Sequence, residues 1–300
     1  MMRDNRVFIV GCGYVGERVA AEARHRGREV FALARTPRSA QHLLTFGIEP
    51  VRGDLDDRGT LQDMPTDDAT IYYFAPPPDK GDRDPRIGAF LDAIRIGQLP
   101  RRIVLISTSG VYGNCEGAWV DESWPRNPQV DRARRRSDAE LQLERWAQAH
   151  GVAYAILRVP GIYGPDRVPL ERLEKGVPVL AESESPWSNR IHVDDLAAAC
   201  VAAGEDSRPG GVFNVADGQP STMTDYFKRV ARAAGLPPPP EISLDEARAT
   251  LSPGMLSYLA ESKRLDITRM REELGVEPAF ADLDAALAHI LHGHCGGGHH

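Results

Sequence analysis

The sequence contains little cysteine and no apolar segment long enough to cross a membrane. Its 300 residues include four cysteines, and no two of them form a C-x-x-C pair. Such widely spaced cysteines argue against a disulfide framework and favour a reducing compartment. No apolar run approaches the ~20 residues of a membrane span, and no small-residue cleavage site follows the N-terminal run. We therefore expect a cytoplasmic protein with no membrane partner.

The chain also lacks an excess of positive charge. Its 36 Lys and Arg residues are outnumbered by 43 Asp and Glu residues, which gives a formal net charge of −7. An acidic chain has no bulk attraction to nucleic acid, so no nucleic-acid partner is expected. With 42% hydrophobic and 26% charged residues, the composition is that of a globular enzyme, and the length suffices for one large or two small domains.

A glycine-rich turn near the N-terminus is the most informative feature that is present. The apolar segment 6–10 runs into Gly11, Cys12, Gly13, Tyr14, Val15 and Gly16, which read G-x-G-x-x-G. Gly11 permits a sharp turn, Gly13 lets phosphates approach the backbone, and Gly16 lets a helix pack on the strand. Free N–H groups at that helix start then face the anion. The turn predicts a dinucleotide site, with a glycine turn in another kind of α/β protein as the alternative.

The end of the second predicted strand, 29–33, lacks the acidic residue of an NAD-specific site. In such sites an Asp or Glu binds the ribose 2′-hydroxyl, whereas here Ala34, Arg35 and Thr36 follow the strand. An arginine pairs with a 2′-phosphate and stacks on adenine. Arg35 therefore favours NADP over NAD, and a solvated loop arginine is the alternative.

Two later segments are predicted to border the same cofactor. Asp54 and Leu55 follow the third strand, where Asp54 accepts a hydrogen bond from the adenine amino group or caps the next short helix. Ala75 and Pro76 follow the fourth strand, at the carboxyl end of the sheet. The prolines after Ala75 predict a rigid extended loop there.

Strands alternate with helices over the first half of the chain, and every predicted strand is apolar. This alternation is typical of an α/β fold with a doubly wound parallel sheet. We predict a dinucleotide-binding domain over residues 1–160, with 192–216 returning to it. Residues 161–191 and 217–291 form a smaller domain that covers the substrate. We predict a flexible tail at 292–300, where the His and Cys content permits a metal site but a disordered segment or tag remnant is favoured; no metal is predicted elsewhere.

Six segments resemble motifs of the extended short-chain dehydrogenase/reductases, also called the NAD-dependent epimerase/dehydratase family. They begin at Gly11, Gly53, Ser107, Leu157, Arg190 and Phe213 and read GCGYVG, GDL, STSGVYG, LRVPGIYGP, RIHVDDL and FNVADG. The resemblance implies a Rossmann-type sheet with a smaller C-terminal substrate domain, and a cofactor contact at Pro160. It also implies chemistry on sugars, most often nucleotide-linked ones.

The family's catalytic tyrosine and lysine are absent from this chain. The family pattern is Y-x-x-x-K-x-x-x-E, and with Glu140 at its last position Arg136 replaces the lysine and Arg132 replaces the tyrosine. This departure resembles the family's atypical branch. Arginine stays protonated, so we expect Arg132 to bind a substrate anion and Arg136 to hold the nicotinamide ribose. Thr108 falls at the family's Ser/Thr position, which hydrogen-bonds the substrate oxygen.

Two tyrosines are alternatives for the missing acid. Tyr112 and Tyr163 each lie beside a glycine turn, where a packed aromatic side chain is the simpler explanation of each. If neither moves the proton, the family's usual mechanism is lost.

Basic residues concentrate on segments that are predicted to border the cleft. We expect substrate contacts from Ser109, Arg132, Arg167, Arg190 and His192. Such a set of arginines indicates a carboxylate, phosphate or diphosphate on the substrate. For His192 the alternative is a role in holding loop backbone at the start of a helix.

These observations favour an NAD(P)-dependent oxidoreductase or epimerase that acts on an anionic, sugar-like substrate. The alternative is a cofactor-holding protein with little redox activity and a regulatory or sensing role. The family often dimerises through the helices equivalent to 85–97 and 131–150, which makes a homodimer possible.

Overall fold

Both faces of the first strand are buried, as in a sheet that is covered by helices on two sides. In the segment Arg6–Val10, Val7 and Ile9 join one hydrophobic cluster while Phe8 and Val10 join another. In the computed structural model, which describes residues 5–251 and 253–293, this strand lies inside a seven-stranded sheet.

The elements follow one another in chain order. The strands are β1 (Arg6–Val10), β2 (Glu29–Ala34), β3 (Glu49–Arg52), β4 (Thr70–Tyr73), β5 (Arg102–Thr108), β6 (Trp119–Val120), β7 (Ala153–Val159), β8 (Gly161–Tyr163), β9 (Val179–Leu180), β10 (Trp187–Ser188), β11 (Arg190–His192), β12 (Gly211–Asn214), β13 (Ser221–Thr222), β14 (Glu241–Ile242) and β15 (Arg264–Leu265). The α-helices are α1 (Gly16–His25), α2 (Pro37–Thr45), α3 (Pro85–Ala93), α4 (Asp131–His150), α5 (Leu170–Glu174), α6 (Val193–Ala203), α7 (Met223–Ala233), α8 (Leu244–Thr250), α9 (Pro253–Leu259), α10 (Thr268–Glu272) and α11 (Leu283–His292).

The large sheet has the strand order β12-β7-β5-β4-β1-β2-β3, and all of its pairings are parallel. Residues of α1, α2 and α6 pack on one face and residues of α3 and α4 pack on the other. The predicted α/β, doubly wound Rossmann-type fold is confirmed. The strand order reverses between β1 and β4, and sheets of this kind bind ligands outside the carboxyl ends of the strands at that point.

A third hydrophobic cluster lies in the later part of the chain. It includes Tyr163, Leu173, Phe227, Val230 and Leu287, which come from β8, α5, α7 and α11. The short strands of this region form two-stranded sheets, β8 with β11, β9 with β14, and β10 with β13. Strands of two or three residues are too short to produce an alternating pattern in the sequence. The division into two domains stays a prediction.

Helix α11 extends through His292, whose Nε2 is hydrogen-bonded to the carbonyl oxygen of Ala233 at 3.0 Å. The predicted tail at 292–300 therefore starts too early, and its residues 294–300 lie outside the described residues. Across the ranges that are described, no helix is both long enough and apolar enough to span a membrane. The same ranges hold no cluster of three or more His, Cys, Asp or Glu side chains that would bind a metal ion.

Candidate active site

The turn after β1 is closed against the end of β4. The carbonyl oxygen of Val10 accepts hydrogen bonds from the N–H groups of Phe74 and Ala75, at 2.7 and 2.9 Å. Gly11 leaves the strand with a φ of +96°, and a Cβ on it would lie 2.5 Å from the backbone nitrogen of Ala75. Glycine is therefore required at position 11 by conformation and by space.

Gly13, unlike Gly11, has open space on the side where a Cβ would lie. Within the described part of the chain, no atom outside its chain neighbours lies within 4 Å of the position that a Cβ on Gly13 would take. Helix α1 begins at Gly16 without a side-chain cap. The first N–H groups of a helix have no acceptor within it, and among them the N–H of Glu17 donates to the carbonyl oxygen of Gly13 at 2.8 Å. Open space beside uncapped N–H groups fits the pyrophosphate of a dinucleotide. Cys12 and Val15 pack half-buried against the core beneath the turn.

Tyr14 joins this turn to the loop after β8. Its hydroxyl donates to the carbonyl oxygen of Pro165 at 2.7 Å. Its ring contacts two guanidinium groups, those of Arg18 at 4.4 Å and Arg167 at 4.9 Å from the ring centre. Arg167 is thereby held beside the glycine turn, and it also lines the cavity that is described below.

The ribose end of the predicted cofactor site is exposed. Arg35 follows β2 and is exposed to solvent. Asp54 accepts a hydrogen bond from the backbone nitrogen of Asp56 at 3.0 Å, and Leu55 packs half-buried on the sheet. The short turn Arg58–Thr60 is capped by Asp57, so the alternative in which Asp54 caps it is wrong. The adenine contact of Asp54 stays a prediction.

A cavity of about 690 Å³ opens at the carboxyl ends of β5 and β7. Its volume lies within the usual range of small-molecule sites. Eight of the residues singled out in the sequence line it: Thr108, Ser109, Arg132, Arg136, Pro160, Tyr163, Arg167 and Arg190. The topology therefore gathers residues that are more than 80 positions apart in the chain.

The cavity arginines are held in place by specific partners. Arg136 donates through Nη1 to the carbonyl oxygen of Ala75 at 3.2 Å, so it bridges the cavity and the loop after β4, whose next residue, Pro76, is exposed. Burial lowers the pKa of Arg136, against the opposing effect of Asp84. Arg132 donates to Ser257 Oγ at 2.6 Å. These two contacts help to fix the positions of the guanidinium groups at the cavity.

Arg190 belongs to the same set but comes from β11. It is buried, donates through Nη2 to Ser221 Oγ at 2.8 Å, and lies over the ring of Tyr226 at 5.1 Å. Thr108, by contrast, uses its hydroxyl oxygen to accept from the N–H of Gly110 at 3.2 Å, which starts the turn Ser109–Tyr112. Thr108 also lines the cavity.

Residues 7–216 match the sequence pattern of the NAD-dependent epimerase/dehydratase family. The chain belongs to this family. The predicted resemblance to the extended short-chain dehydrogenase/reductases is thereby confirmed.

Individual relatives agree with this assignment. The UDP-glucose 4-epimerase of Mycolicibacterium smegmatis is 30% identical over 196 residues, which cover 60% of this chain and 58% of that protein. A conserved protein of unknown function from Silicibacter pomeroyi has a TM-score of 0.81 and 29% identity, with 96% of this chain and 98% of that chain covered.

Structures of two sugar-nucleotide epimerases have the same fold. The UDP-glucose 4-epimerase of Thermotoga maritima, solved with UDP-glucose, has a TM-score of 0.77 at 20% identity over 95% of this chain and 97% of that chain. The UDP-glucose 4-epimerase of Thermus thermophilus, solved with NAD, has a TM-score of 0.73 at 24% identity over 95% of this chain and 98% of that chain.

In this member of the epimerase/dehydratase family, Tyr112 does not reach the cavity. Its side chain is fully buried, and its hydroxyl donates to Oδ1 of Asn214 at 2.7 Å. Burial raises the pKa of Tyr112 to about 12. The prediction of Tyr112 as a stand-in acid is corrected: the fold uses it to join the turn after β5 to β12.

His192 also lies outside the cavity. Its Nδ1 accepts a hydrogen bond from the backbone nitrogen of Asp194 at 3.3 Å and so caps α6. Its ring stacks on Phe280 with centroids 3.8 Å apart, and burial lowers the pKa of His192. The predicted substrate contact is therefore wrong, and the alternative, a histidine at a helix start, is what the structure contains.

Tyr163 borders the cavity but its hydroxyl is already engaged. It donates to the carbonyl oxygen of Phe280 at 3.2 Å, and burial raises the pKa of Tyr163. Both facts make it a poor proton donor to a ligand in the cavity.

Sequence reasoning missed several residues that line the cavity, above all Glu261 and Lys263. They lie more than 120 residues after Arg132 and belong to none of the six motifs. The available signal was compositional, because Lys263 is one of four lysines in a chain rich in arginine.

Proposed function

We propose that this member of the epimerase/dehydratase family is an NAD(P)-dependent oxidoreductase or epimerase that acts on an anionic, nucleotide-linked sugar. One observation carries the proposal, namely that the glycine turn and the cavity are neighbours. The glycine turn that fits a pyrophosphate adjoins an arginine-lined cavity, and Arg136 connects the two through its hydrogen bond to Ala75.

We propose NADP as the cofactor, with NAD as the alternative. The turn Gly11–Gly16 would hold the pyrophosphate, and Arg35 would meet the 2′-phosphate, since no acidic residue follows β2 directly. Arg136 and Pro160 would border the nicotinamide end. The solved NAD complex of the Thermus thermophilus relative supports a dinucleotide at this place and leaves the 2′-phosphate to be tested. When bound, the cofactor would accept or supply hydride.

The substrate is inferred from charge. Arg132, Arg167, Arg172 and Arg190 all line one cavity, and a phosphate or diphosphate group would satisfy several of them at once. Thr108 and Ser109 would hydrogen-bond a sugar oxygen from the end of β5. The UDP-glucose bound to the Thermotoga maritima relative has this chemistry.

A cofactor-holding protein with little redox activity is the second candidate. It is favoured by one observation, the replacement of the family's tyrosine by Arg132, which cannot exchange a proton near neutral pH. A homodimer through α3 and α4 is proposed with either candidate, since these helices pack side by side on one face of the sheet.

The two candidates are separated by binding and turnover measurements. Melting temperatures with NADPH and NADH report cofactor binding. Absorbance at the nicotinamide band reports net oxidation or reduction of UDP-glucose, UDP-glucuronate and other nucleotide sugars, and chromatographic separation of the sugar products reports epimerisation, which is redox-neutral. An oxidoreductase or epimerase with a hydride step shows stabilisation and turnover of at least one sugar. Stabilisation without any turnover indicates the binding protein, and no stabilisation contradicts both.

A further inference from the structure

We propose that Glu261 is the proton acceptor of this active site and takes the substrate hydroxyl proton that the family's tyrosine would otherwise take. The inference rests on the proposed function and assigns a residue to the step that Arg132 leaves unfilled.

Hydrogen bonds through Lys263 link Glu261 to the end of the turn that Thr108 starts. Its Oε2 accepts a hydrogen bond from Nζ of Lys263 at 2.8 Å, and that Nζ also donates to the carbonyl oxygen of Gly113 at 2.7 Å. Gly113 directly follows the turn Ser109–Tyr112, which Thr108 starts. Glu261, Lys263 and Thr108 all line the cavity.

The second carboxylate oxygen of Glu261 is unsatisfied. Oε1 is buried and has no hydrogen-bond partner among the described residues. The side chain as a whole is 11% exposed. Buried carboxylate oxygens normally accept hydrogen bonds, because leaving one without a donor is costly. In a cavity built for a hydroxylated ligand, the substrate O–H group would be that donor.

The other titratable groups of the cavity do not fit the role. Tyr163 already donates to Phe280, and burial raises the pKa of Tyr226 to about 12. Lys263 spends two donors on Gly113 and Glu261, and its ammonium form has no lone pair. Among the described residues that line the cavity, Glu261 is the single carboxylate.

Glu261 has a lysine beside it, as the proton-exchanging tyrosine has in the family pattern. The cations that line the same cavity are Arg132, Arg136, Arg167, Arg172, Arg190 and Lys263. In the family pattern a lysine stands beside the tyrosine that exchanges the proton. Here Lys263 stands beside Glu261 at hydrogen-bond distance, so a cation again adjoins the proton acceptor.

The proposed step balances in both directions. In oxidation, the substrate O–H bond breaks and its proton bonds to Oε1 of Glu261, while the C–O bond becomes a carbonyl. The hydride from the C–H bond at the same carbon would go to the nicotinamide cofactor that the glycine turn is proposed to hold. In reduction, Glu261 returns the proton to the oxygen, and Thr108 donates a hydrogen bond to that oxygen in either direction.

The test uses Glu261→Gln and Glu261→Ala, with Glu174→Gln as the matched control because Glu174 is an exposed carboxylate on α5 outside the cavity. The probe is UDP-glucose, or the member of the sugar panel that the wild type turns over. We expect Glu261→Gln to lower kcat by 10²- to 10⁴-fold with KM changed less than threefold. Sodium formate should restore part of the activity of Glu261→Ala, since it resupplies a carboxylate.

A binding measurement without cofactor gives a second readout. Calorimetry should show UDP-glucose binding weakened about 10-fold by Glu261→Ala, as expected for a hydrogen bond to a charged group, and unchanged by Glu174→Gln. A kcat of Glu261→Gln within threefold of the wild type, or a Glu261→Ala variant that binds UDP-glucose normally and is not rescued by formate, overturns the inference and leaves the proposed function standing. A wild type that turns over no sugar overturns the proposed function and this inference with it.

Discussion

Nη2 of Arg158 lies 2.8 Å from Oε2 of Glu140, and the two side chains are 4% and 0% exposed. This ion pair joins β7 to α4, the helix that carries Arg132 and Arg136. Ser107 at the end of β5 donates to the same carboxylate. Burial alone would lower the pKa of Arg158, but the hydrogen bonds and charge of Glu140 raise it. The position of the cavity arginines therefore depends on a buried charge pair beneath them.

Removing the carboxylate from this pair should destabilise the protein strongly. Glu140→Gln keeps the side-chain shape but leaves the buried Arg158 guanidinium without its counter-charge, which costs about 3 to 5 kcal/mol in comparable cases. Urea titration followed by circular dichroism measures this loss in the free energy of unfolding. The control is Asp92→Asn, which breaks an exposed pair with Arg58 and should cost less than about 1 kcal/mol. Similar losses in both variants would contradict the structural role of the buried pair.

The two glycines of the turn should separate fold from cofactor binding. Gly11→Ala places a Cβ 2.5 Å from the Ala75 nitrogen at a φ of +96°, so we expect a loss of roughly 1 to 3 kcal/mol of stability from backbone strain alone. Gly13→Ala meets open space and should change stability by less than about 1 kcal/mol. Its methyl group should nevertheless lower NADPH affinity at least tenfold, because it occupies the space where the pyrophosphate is expected.

Melting curves with and without NADPH distinguish these effects. Gly13→Ala should melt like the wild type without NADPH and lose most of the NADPH-induced shift. A full shift in that variant would show that the dinucleotide does not lie against this turn.

The large sheet could be predicted from the sequence because its central strands β1, β4, β5 and β7 are mostly buried and therefore appear as apolar runs. The predicted helix at 131–150 agrees with α4 residue for residue, and the predicted second strand at 29–33 agrees with β2 to within one residue. Motif spacing also singled out Thr108, Arg132 and Arg136, which line one cavity in the structure. It failed for side-chain direction, since nothing in the order of residues shows that Tyr112 turns towards Asn214 while Ser109 faces the cavity. Motif spacing also did not predict that Glu261 and Lys263 line the cavity. These two residues directly precede β15, which is placed by its pairing with β6.

Arg35 should decide between the two forms of the cofactor. Arg35→Asp removes the cation proposed to meet the 2′-phosphate and adds a repulsive charge, so NADPH binding should weaken by about 10- to 100-fold, as for loss of a charged hydrogen bond. NADH affinity should change less than threefold. Fluorescence titration with each nucleotide gives both constants. Arg145→Asp, an exposed change near the far end of α4, controls for net charge, and an equal loss for both nucleotides in Arg35→Asp would refute the NADP assignment.

Asp217 should make stability depend on pH. Burial raises the pKa of Asp217 to about 6, although the charge of Arg190 and the hydrogen bond from Gln219 oppose the rise. Asp217 as a whole residue is 1% exposed, and its Oδ2 has no hydrogen-bond partner among the described residues. The unfolded chain has an ordinary Asp pKa of about 3.9, so between about pH 4 and pH 6 the folded state binds more protons than the unfolded state. Stability must then fall as the pH rises through this window.

Asp217→Asn should remove that dependence. Relative to wild type, the variant should gain about 2 kcal/mol between pH 4.5 and pH 7.5, as a rise of the folded-state pKa from about 3.9 to about 6 implies. Any constant effect of the amide on packing cancels, because only the change between the two pH values is compared. Urea titrations at several pH values measure it, with Asp82→Asn as an exposed control. If the stability curves of wild type and Asp217→Asn run parallel from pH 4.5 to 7.5, Asp217 is ionised in the folded state throughout and Arg190 outweighs its burial.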